Sequence, residues 1–217
     1  MALDAVIFDL DGTLTDTEEV WDEVRRGLAA EAGVPWGPDD TRAMMGMSTQ
    51  EWSHYLTESV GLPMAPEEAA LATVQGMAAK YLEGIQLMPG AVEAVQRMAE
   101  RYPIAIVSSS PRLLIETATE VMGVADLLQA TVSTEEVDRG KPAPDGYLRA
   151  CQLLDVRPGH SLAVEDTHNG ILSALNAGLE VVAVPGRFHP PGPQILERTT
   201  VITNLDELTY ELVESLF

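Results

Sequence analysis

The chain has 217 residues, enough to bury a full core, and 34 Asp and Glu against 13 Lys and Arg give a formal net charge of −21. So acidic a surface repels nucleic acid and anionic membranes, and we expect neither as a partner. The single cysteine, Cys151, excludes an internal disulfide and a multi-cysteine zinc site. No apolar run reaches the roughly 18 residues of a membrane span, and Asp9 interrupts the N-terminal run, so no signal peptide is predicted. We expect a soluble, cytoplasmic protein that is a monomer or a weak dimer.

The N-terminal stretch predicts a short buried strand that ends in two carboxylates. Residues 5–8 are apolar, and Asp9 and Asp11 follow one residue apart before the turn pair Gly12-Thr13. Alternate residues of a strand share a face, so both acids can point into one small volume. Crowded negative charges require a cation or a shared proton. Taken alone, however, the pair is equally typical of a solvated acidic turn.

Residues 16–84 predict only helices and loops. Capping-box spacing occurs at Thr15–Glu18 and again at Ser48–Glu51, each before a run with apolar residues on one helical face. Pro66 suits the first turn of a third helix, which extends to about residue 82. We therefore predict an all-helical domain inserted through two connections, which together can act as a hinge.

The rest of the chain alternates short apolar strands with helices. The predicted strands are residues 104–107, 131–132, 162–164, 181–184 and 200–202. This alternation is typical of an α/β protein with a Rossmann-like parallel sheet and helices on both faces, here built from residues 1–15 and 85–217. Ser110 is interpreted as the cap of a helix with Pro111 at its first position, and Asn204 as the cap of the last helix.

Polar side chains follow the predicted strands at the edge where ligands of open parallel sheets bind. Ser108 follows the strand at 104–107, and Glu165 and Asp166 follow the strand at 162–164. Lys141 lies between them in a Gly-Lys-Pro loop, where alone it could equally be a solvated lysine. Together with the N-terminal acid pair, these residues predict one crevice that binds a metal ion and an anion.

The ordered motifs resemble those of the haloacid dehalogenase superfamily. The motifs are Asp9-Leu-Asp11-Gly-Thr13, then Ser108, then Gly140-Lys141-Pro142, then Val164-Glu165-Asp166. More narrowly, they resemble the phosphatases and phosphosugar mutases that carry a helical cap after the first motif, including phosphoglycolate phosphatase and beta-phosphoglucomutase-like phosphatases. The resemblance covers the whole chain and implies that residues 16–84 are the cap.

The resemblance also implies a magnesium-dependent phosphatase acting on a small phosphomonoester, such as a sugar phosphate or phosphoglycolate. Asp9 is the implied nucleophile, which forms an aspartyl-phosphate, and Asp11 is the implied general acid and then base. The implied magnesium ligands are the Asp9 carboxylate, the Asp11 backbone carbonyl, Asp166, and Glu165 directly or through water. The implied phosphate ligands are Ser108 and Lys141, with Gly12 and Thr13 as accessories.

Three alternative functions follow from the same motifs. A phosphosugar mutase of the beta-phosphoglucomutase type needs the same core, but Trp21 stands where the resembling mutases have a histidine, which favours a hydrolase. Haloacid dehalogenation needs neither Asp11 nor the Glu165–Asp166 pair, so the presence of these acids argues against that reaction. A non-catalytic binding protein would not need every motif position to be filled.

Specificity is expected to lie in the helical insert. Trp21, and Gly46, Met47 and Ser48 in the turn before a capped helix, are the candidate substrate-contacting residues. Core packing is the ordinary role of aromatic and methionine side chains at such positions. His168 follows the second acidic pair and is predicted to start a helix rather than to bind the metal, because magnesium prefers oxygen ligands.

Overall fold

A parallel sheet organises the larger part of the molecule. The computed structural model describes residues 2–44, 47–186 and 190–217, and six strands are assigned within them. They are β1 (Ala5–Phe8), β2 (Ile104–Ser108), β3 (Leu128–Ser133), β4 (Ser161–Glu165), β5 (Glu180–Ala183) and β6 (Thr200–Val201). Their order is β3-β2-β1-β4-β5-β6, and all pairs are parallel. The predicted fold class is confirmed, and the reversal of strand order beside β1 creates the switch point where ligands of such sheets bind.

The chain divides into two compact units, Met1–Asp16 with Gln86–Phe217, and Thr17–Ile85. These boundaries lie one residue later at each end than the division made from the sequence. The helices described in the smaller unit are α1 (Glu18–Glu31), α2 (Pro38–Met44), α3 (Thr49–His54) and α4 (Pro66–Glu83). Helix α3 continues into a π-helical turn. Six of the buried side chains of this unit form an apolar cluster: Ala29, Met44, Trp52, Leu56, Leu62 and Ala69.

Helices cover both faces of the sheet. In the larger unit they are α5 (Ala91–Ala99), α6 (Arg112–Val121), α7 (Asp145–Leu154), α8 (His168–Ala177), α9 (Pro193–Leu196) and α10 (Tyr210–Glu214). Ile7 and Val107 belong to a core cluster that includes residues of α7 and α8. Val6 and Phe8, which point to the opposite face, are equally buried. None of the helices in the described ranges is long and apolar enough to cross a membrane.

The two capping-box predictions have different outcomes. The box at Ser48–Glu51 is confirmed, because the Glu51 N–H donates to the Ser48 hydroxyl (3.3 Å) and the Ser48 N–H donates to the Glu51 carboxylate (2.8 Å). The box at Thr15 is wrong. Thr17 is the N-cap residue of α1, and Thr15 is buried with its hydroxyl donating to the Leu10 carbonyl (3.3 Å).

Three further local predictions are corrected. Pro111, not Ser110, is the N-cap residue of α6, because Ser110 turns its side chain elsewhere. Asn204 caps a short 3₁₀ turn, and the Thr209 side chain caps the last helix by accepting from the Leu212 N–H at 3.2 Å. The predicted specificity turn, taken from Arg42 to Ser48, is helical in its first part, since α2 runs to Met44.

Candidate active site

Three adjacent strand ends bring together the residues predicted to bind the metal ion and the phosphate. In the sheet register, Phe8 of β1 lies beside Ile106 of β2 and Val164 of β4. The Asp9 N–H continues the ladder by donating to the Val164 carbonyl at 2.9 Å. The residues that follow each strand therefore enter one small region beyond the carboxyl edge of the sheet.

Three carboxylates form a buried cluster at this edge. Asp9, Glu165 and Asp166 are 5%, 0% and 6% exposed, and one oxygen from each lies within 4.8 Å of the others. Burial raises the pKa of Asp9 to about 7, with the Lys141 ammonium opposing and the Glu165 and Asp11 carboxylates adding to the rise. Burial, together with the charges of Asp9 and Glu165, also raises the pKa of Asp166 well above its usual value. This repulsion between carboxylates is the electrostatic problem that a bound cation solves.

Lys141 is the cation built into this cluster. Its Nζ donates to Asp9 Oδ1 (2.5 Å), Glu165 Oε1 (2.6 Å) and the Val107 carbonyl (3.1 Å), which uses all three ammonium protons. Its side chain is 7% exposed, so the alternative of a solvated loop lysine is wrong. Burial by itself lowers the pKa of Lys141, but the Asp9 and Glu165 carboxylates outweigh it and raise the pKa above its ordinary value.

Glu165 is held by four hydrogen bonds. Its Oε1 accepts from Lys141 and from the Tyr147 hydroxyl at 2.8 Å. Its Oε2 accepts from the Asp166 N–H at 3.2 Å and the Thr167 hydroxyl at 3.4 Å. Tyr147 was not predicted as a site residue, because its place on the apolar face of α7 reveals packing but not the partner of its hydroxyl.

The turn after β1 packs against Asp166. Gly12 has a φ of 88°, and a Cβ there would lie 2.2 Å from Asp166 Oδ2. The Thr13 hydroxyl donates to Asp166 Oδ1 at 3.2 Å. The Gly12 N–H donates to the Thr15 carbonyl at 2.7 Å, within the turn. Both predicted phosphate accessories thus lie at the site, where their observed contacts shape the turn and orient the Asp166 carboxylate.

Asp11 contacts two serines. Its Oδ2 accepts from the Ser108 hydroxyl at 3.2 Å and from the Ser110 hydroxyl at 2.7 Å. The sequence interpretation of Ser110 as only a helix cap is wrong, since this hydroxyl reaches a predicted catalytic acid. The available signal was three consecutive serines after an apolar strand, which does not by itself say which of them turn inward.

The predicted specificity residues lie in the helical unit. Met47 packs against the apolar cluster of that unit, and Ser48 caps α3 with its hydroxyl donating to Glu51 at 2.7 Å. Gly46 lies outside the described residues. Their roles in substrate recognition stay predictions.

Trp21 forms part of an aromatic cluster that the sequence did not predict. Its ring centroid lies 6.0 Å from that of Trp52, and the Arg25 guanidinium carbon lies 4.7 Å and 4.8 Å from the two centroids. Both distances are within the range of cation–π attraction. Burial lowers the pKa of Arg25 to about 10, and its Nε has no hydrogen-bond partner among the described residues. His168 begins α8, as predicted.

The residues present fit a hard divalent cation. Three buried carboxylates against one ammonium leave a net charge of −2 when all four groups are ionised. The donors are carboxylate oxygens, which magnesium and similar ions prefer, and the described cluster contains neither imidazole nor thiol. The site therefore brings together a buried carboxylate cluster, a second acid at Asp11, and serine hydroxyl and lysine ammonium donors.

Comparisons with known proteins give three kinds of match. Residues 3–178 match a family model described as haloacid dehalogenase-like hydrolase. A validoxylamine A 7'-phosphate phosphatase of Streptomyces hygroscopicus subsp. limoneus is 32% identical, over 82% of this chain and 84% of the relative. Hexitol phosphatase A of Escherichia coli (strain K12) is 31% identical, over 94% of this chain and 92% of the relative. The crystal structure of CbbY from Rhodobacter sphaeroides in complex with phosphate has a TM-score of 0.87 and 25% identity, covering 98% of this chain and 99% of that one.

Proposed function

The chain belongs to the haloacid dehalogenase-like hydrolase family, and on that premise we propose that it is a magnesium-dependent phosphatase working through an aspartyl-phosphate. Family membership confirms the resemblance predicted from the ordered motifs, and its phosphatase relatives make the chain a phosphoric monoester hydrolase. One observation carries the proposal. Asp9 is a buried carboxylate at the end of the central strand, 2.5 Å from the Lys141 ammonium and next to the Asp166 carboxylate.

Magnesium would be held by the Asp9 and Asp166 carboxylates and the Asp11 backbone carbonyl. Glu165 accepts four hydrogen bonds already, so we propose that its main role is to orient Lys141 beside the ion. When bound, the ion would offset charge on the phosphoryl group and on the attacking carboxylate.

The first half-reaction transfers the phosphoryl group to Asp9. An oxygen of the Asp9 carboxylate attacks phosphorus while the bond from phosphorus to the substrate oxygen breaks. Asp11 gives its proton to that oxygen, so an alcohol leaves rather than an alkoxide. The Ser108 hydroxyl turns from Asp11 to a phosphoryl oxygen, and the Lys141 ammonium exchanges one of its three present acceptors for another. Both groups then stabilise the negative charge on the phosphoryl group.

The second half-reaction releases inorganic phosphate. A water molecule attacks phosphorus, and Asp11, now a carboxylate, takes the proton from that water. The bond from phosphorus to the Asp9 oxygen breaks, which restores the nucleophile and the acid. Both half-reactions use the same two side chains, whose separate surroundings suit their separate roles: Asp9 contacts an ammonium, and Asp11 contacts hydroxyls.

We place the substrate among sugar phosphates and related polyol phosphates, with phosphoglycolate as a further candidate. The names of two relatives, which refer to a hexitol and to validoxylamine A 7'-phosphate, support this class. The net charge of −21 works against long-range attraction of anionic metabolites, so recognition of the phosphate must come from groups inside the site.

The experiment is a panel of phosphorylated sugars, sugar alcohols, phosphoglycolate and 4-nitrophenyl phosphate, assayed for phosphate release with magnesium and with a chelator. We expect release that the chelator abolishes and that Asp9→Asn reduces on the order of 10³-fold or more. Asp126→Asn is the matched control, because Asp126 is exposed and distant in sequence from every motif. Isomerised phosphosugar in excess of free phosphate would favour a mutase, and full activity of Asp9→Asn would overturn the mechanism.

A further inference from the structure

We propose that Ser110 is a positioning residue that orients the Asp11 carboxyl group for proton transfer, an inference that rests on the proposed role of Asp11. Ser110 is 6% exposed, and its Oγ donates to Asp11 Oδ2 at 2.7 Å. The Ser108 hydroxyl donates to the same oxygen at the longer distance of 3.2 Å. Two hydroxyls therefore converge on one oxygen of the group that must meet the leaving oxygen of the substrate.

Of these two serines, Ser110 is the one that can stay on Asp11 throughout the reaction. A hydroxyl has one proton to donate, and Ser108 needs its proton for a phosphoryl oxygen. The Ser110 N–H donates to the Ser108 Oγ at 2.9 Å, which keeps that oxygen in place while its proton turns to a new acceptor. Once Ser108 turns, the hydroxyl of Ser110 still holds Asp11.

Ser110 is itself fixed from a third strand. The Ser133 hydroxyl, which is buried, donates to the Ser110 carbonyl at 2.7 Å. Ser133 ends β3 and pairs in register with Ser108 at the end of β2, so both anchors of the Ser110 backbone are strand ends. A side chain held on such anchors can define the direction of Asp11 more closely than an exposed loop residue could.

This arrangement selects which carboxyl oxygen of Asp11 carries the proton. A donated hydrogen bond from Ser110 favours Oδ2 as the carbonyl oxygen of the acid, which places the acid proton on Oδ1. During transfer the Oδ1–H bond breaks and that proton joins the substrate oxygen, as the bond from phosphorus to that oxygen breaks and the bond from Asp9 to phosphorus forms. Without the Ser110 hydroxyl, Asp11 can rotate and its proton is less often directed at the leaving oxygen.

The test is the dependence of kcat/KM on the leaving group, measured with substituted phenyl phosphates. A good leaving group needs little protonation, so loss of acid positioning should affect poor leaving groups most. For Ser110→Ala we expect kcat/KM to fall about 10-fold to 100-fold for the least acidic phenols and less than about threefold for 4-nitrophenyl phosphate. The matched control is Ser109→Ala, because Ser109 is the exposed neighbour, and it should leave the series unchanged.

A double-mutant cycle shows whether the effect passes through Asp11. Asp11→Asn should steepen the leaving-group dependence in the same way, and adding Ser110→Ala to it should produce no further change. Inhibition by inorganic phosphate should stay unchanged in Ser110→Ala. Ser110→Cys, whose side chain is closer in size to serine, should show the same leaving-group dependence as Ser110→Ala. An equal loss across the series, or additive losses in the double variant, would overturn the proposal while the phosphatase function stands. An inactive natural protein would instead refute the proposed function, and this inference with it.

Discussion

The Glu165 carboxylate has no contact with solvent, but the surrounding residues donate four hydrogen bonds to it. Each carboxylate oxygen accepts two of these hydrogen bonds, and the Lys141 ammonium is one of the two donors to Oε1. A buried carboxylate is tolerable only with such compensation, because losing one partner leaves the desolvation cost of the charge in place. Tyr147 is a neutral partner at short distance (2.8 Å), so its hydroxyl can be removed without changing any charge in the cluster.

Tyr147→Phe removes one hydrogen bond to this carboxylate and keeps the ring in the core. We expect the free energy of unfolding to fall by about 1.5–3 kcal/mol, since the lost bond involves a charged group that stays buried. Denaturant unfolding measures the change. Tyr102→Phe is the control, because the Tyr102 hydroxyl donates to Glu214 at the exposed surface (3.1 Å) and water can replace it. Equal effects of the two substitutions would contradict the buried role of Tyr147.

At the scale of elements, the start of α8 is shaped by the Glu165 carboxylate. A Cβ at Gly170, in the first turn of this helix, would lie 2.0 Å from Glu165 Oε2 and 2.1 Å from its Oε1. The absence of a side chain at Gly170 is therefore what lets the carboxylate lie against the helix. This requirement is opposite to the general preference of helices for alanine over glycine.

Gly170→Ala should therefore destabilise the protein and reduce phosphatase activity, because the Glu165 carboxylate must move and Lys141 moves with it. Gly27→Ala provides the matched control in α1, where a new Cβ meets nothing within 4 Å. There we expect the free energy of unfolding to rise by about 1 kcal/mol, with activity unchanged. Thermal unfolding and phosphate release, measured on both variants, separate the two outcomes. A stabilised and active Gly170→Ala would show that Glu165 needs no such space.

Strands β1, β2 and β4 were predictable from the sequence because they are fully buried and contain continuous apolar runs. The runs at 104–107 and 162–164 mark β2 and β4, but the strands extend to Ser108 and Glu165. Polar residues continue the ladder there because backbone hydrogen bonds do not depend on side-chain type. The sequence could thus predict which strand ends form the site, but not that two of its polar residues belong to the strands.

Local capping rules failed where the side chain forms a hydrogen bond with another acceptor. Thr15 and Ser110 both suit helix caps by spacing, but one donates to the Leu10 carbonyl and the other to Asp11. A cap contributes about 1 kcal/mol, so a buried hydrogen bond to another acceptor can outweigh it. Tyr147 escaped prediction for a related reason: its partner is 18 positions away in the chain.

At the scale of the whole molecule, the excess of acidic groups means that every added proton or cation reduces self-repulsion. With a net charge of −21, the unfolding of the protein depends on pH through many surface carboxylates at once. The buried cluster differs from that background in one respect: only its carboxylates are arranged, within the described residues, to share one metal ion. The difference between measurements with and without magnesium therefore isolates the cluster.

The stabilisation of the protein by magnesium should increase as pH rises through about 7. In the unfolded chain an aspartate loses its proton near 3.8, whereas burial raises the pKa of Asp9 to about 7 in the folded metal-free protein. The folded state thus binds more protons between these values, and the free energy of unfolding of the metal-free protein falls as pH rises across that window. Magnesium competes with the same protons, so its binding releases them and its affinity is higher at pH 8 than at pH 5.5.

Thermal unfolding, measured with chelator and with magnesium at both pH values, should show that magnesium raises the unfolding temperature more at pH 8. Asp9→Asn should reduce that shift and its pH dependence, because an amide that does not titrate replaces the Asp9 carboxylate. An equal shift at both pH values in the natural protein would mean that the ion binds without displacing protons from Asp9 and Asp166.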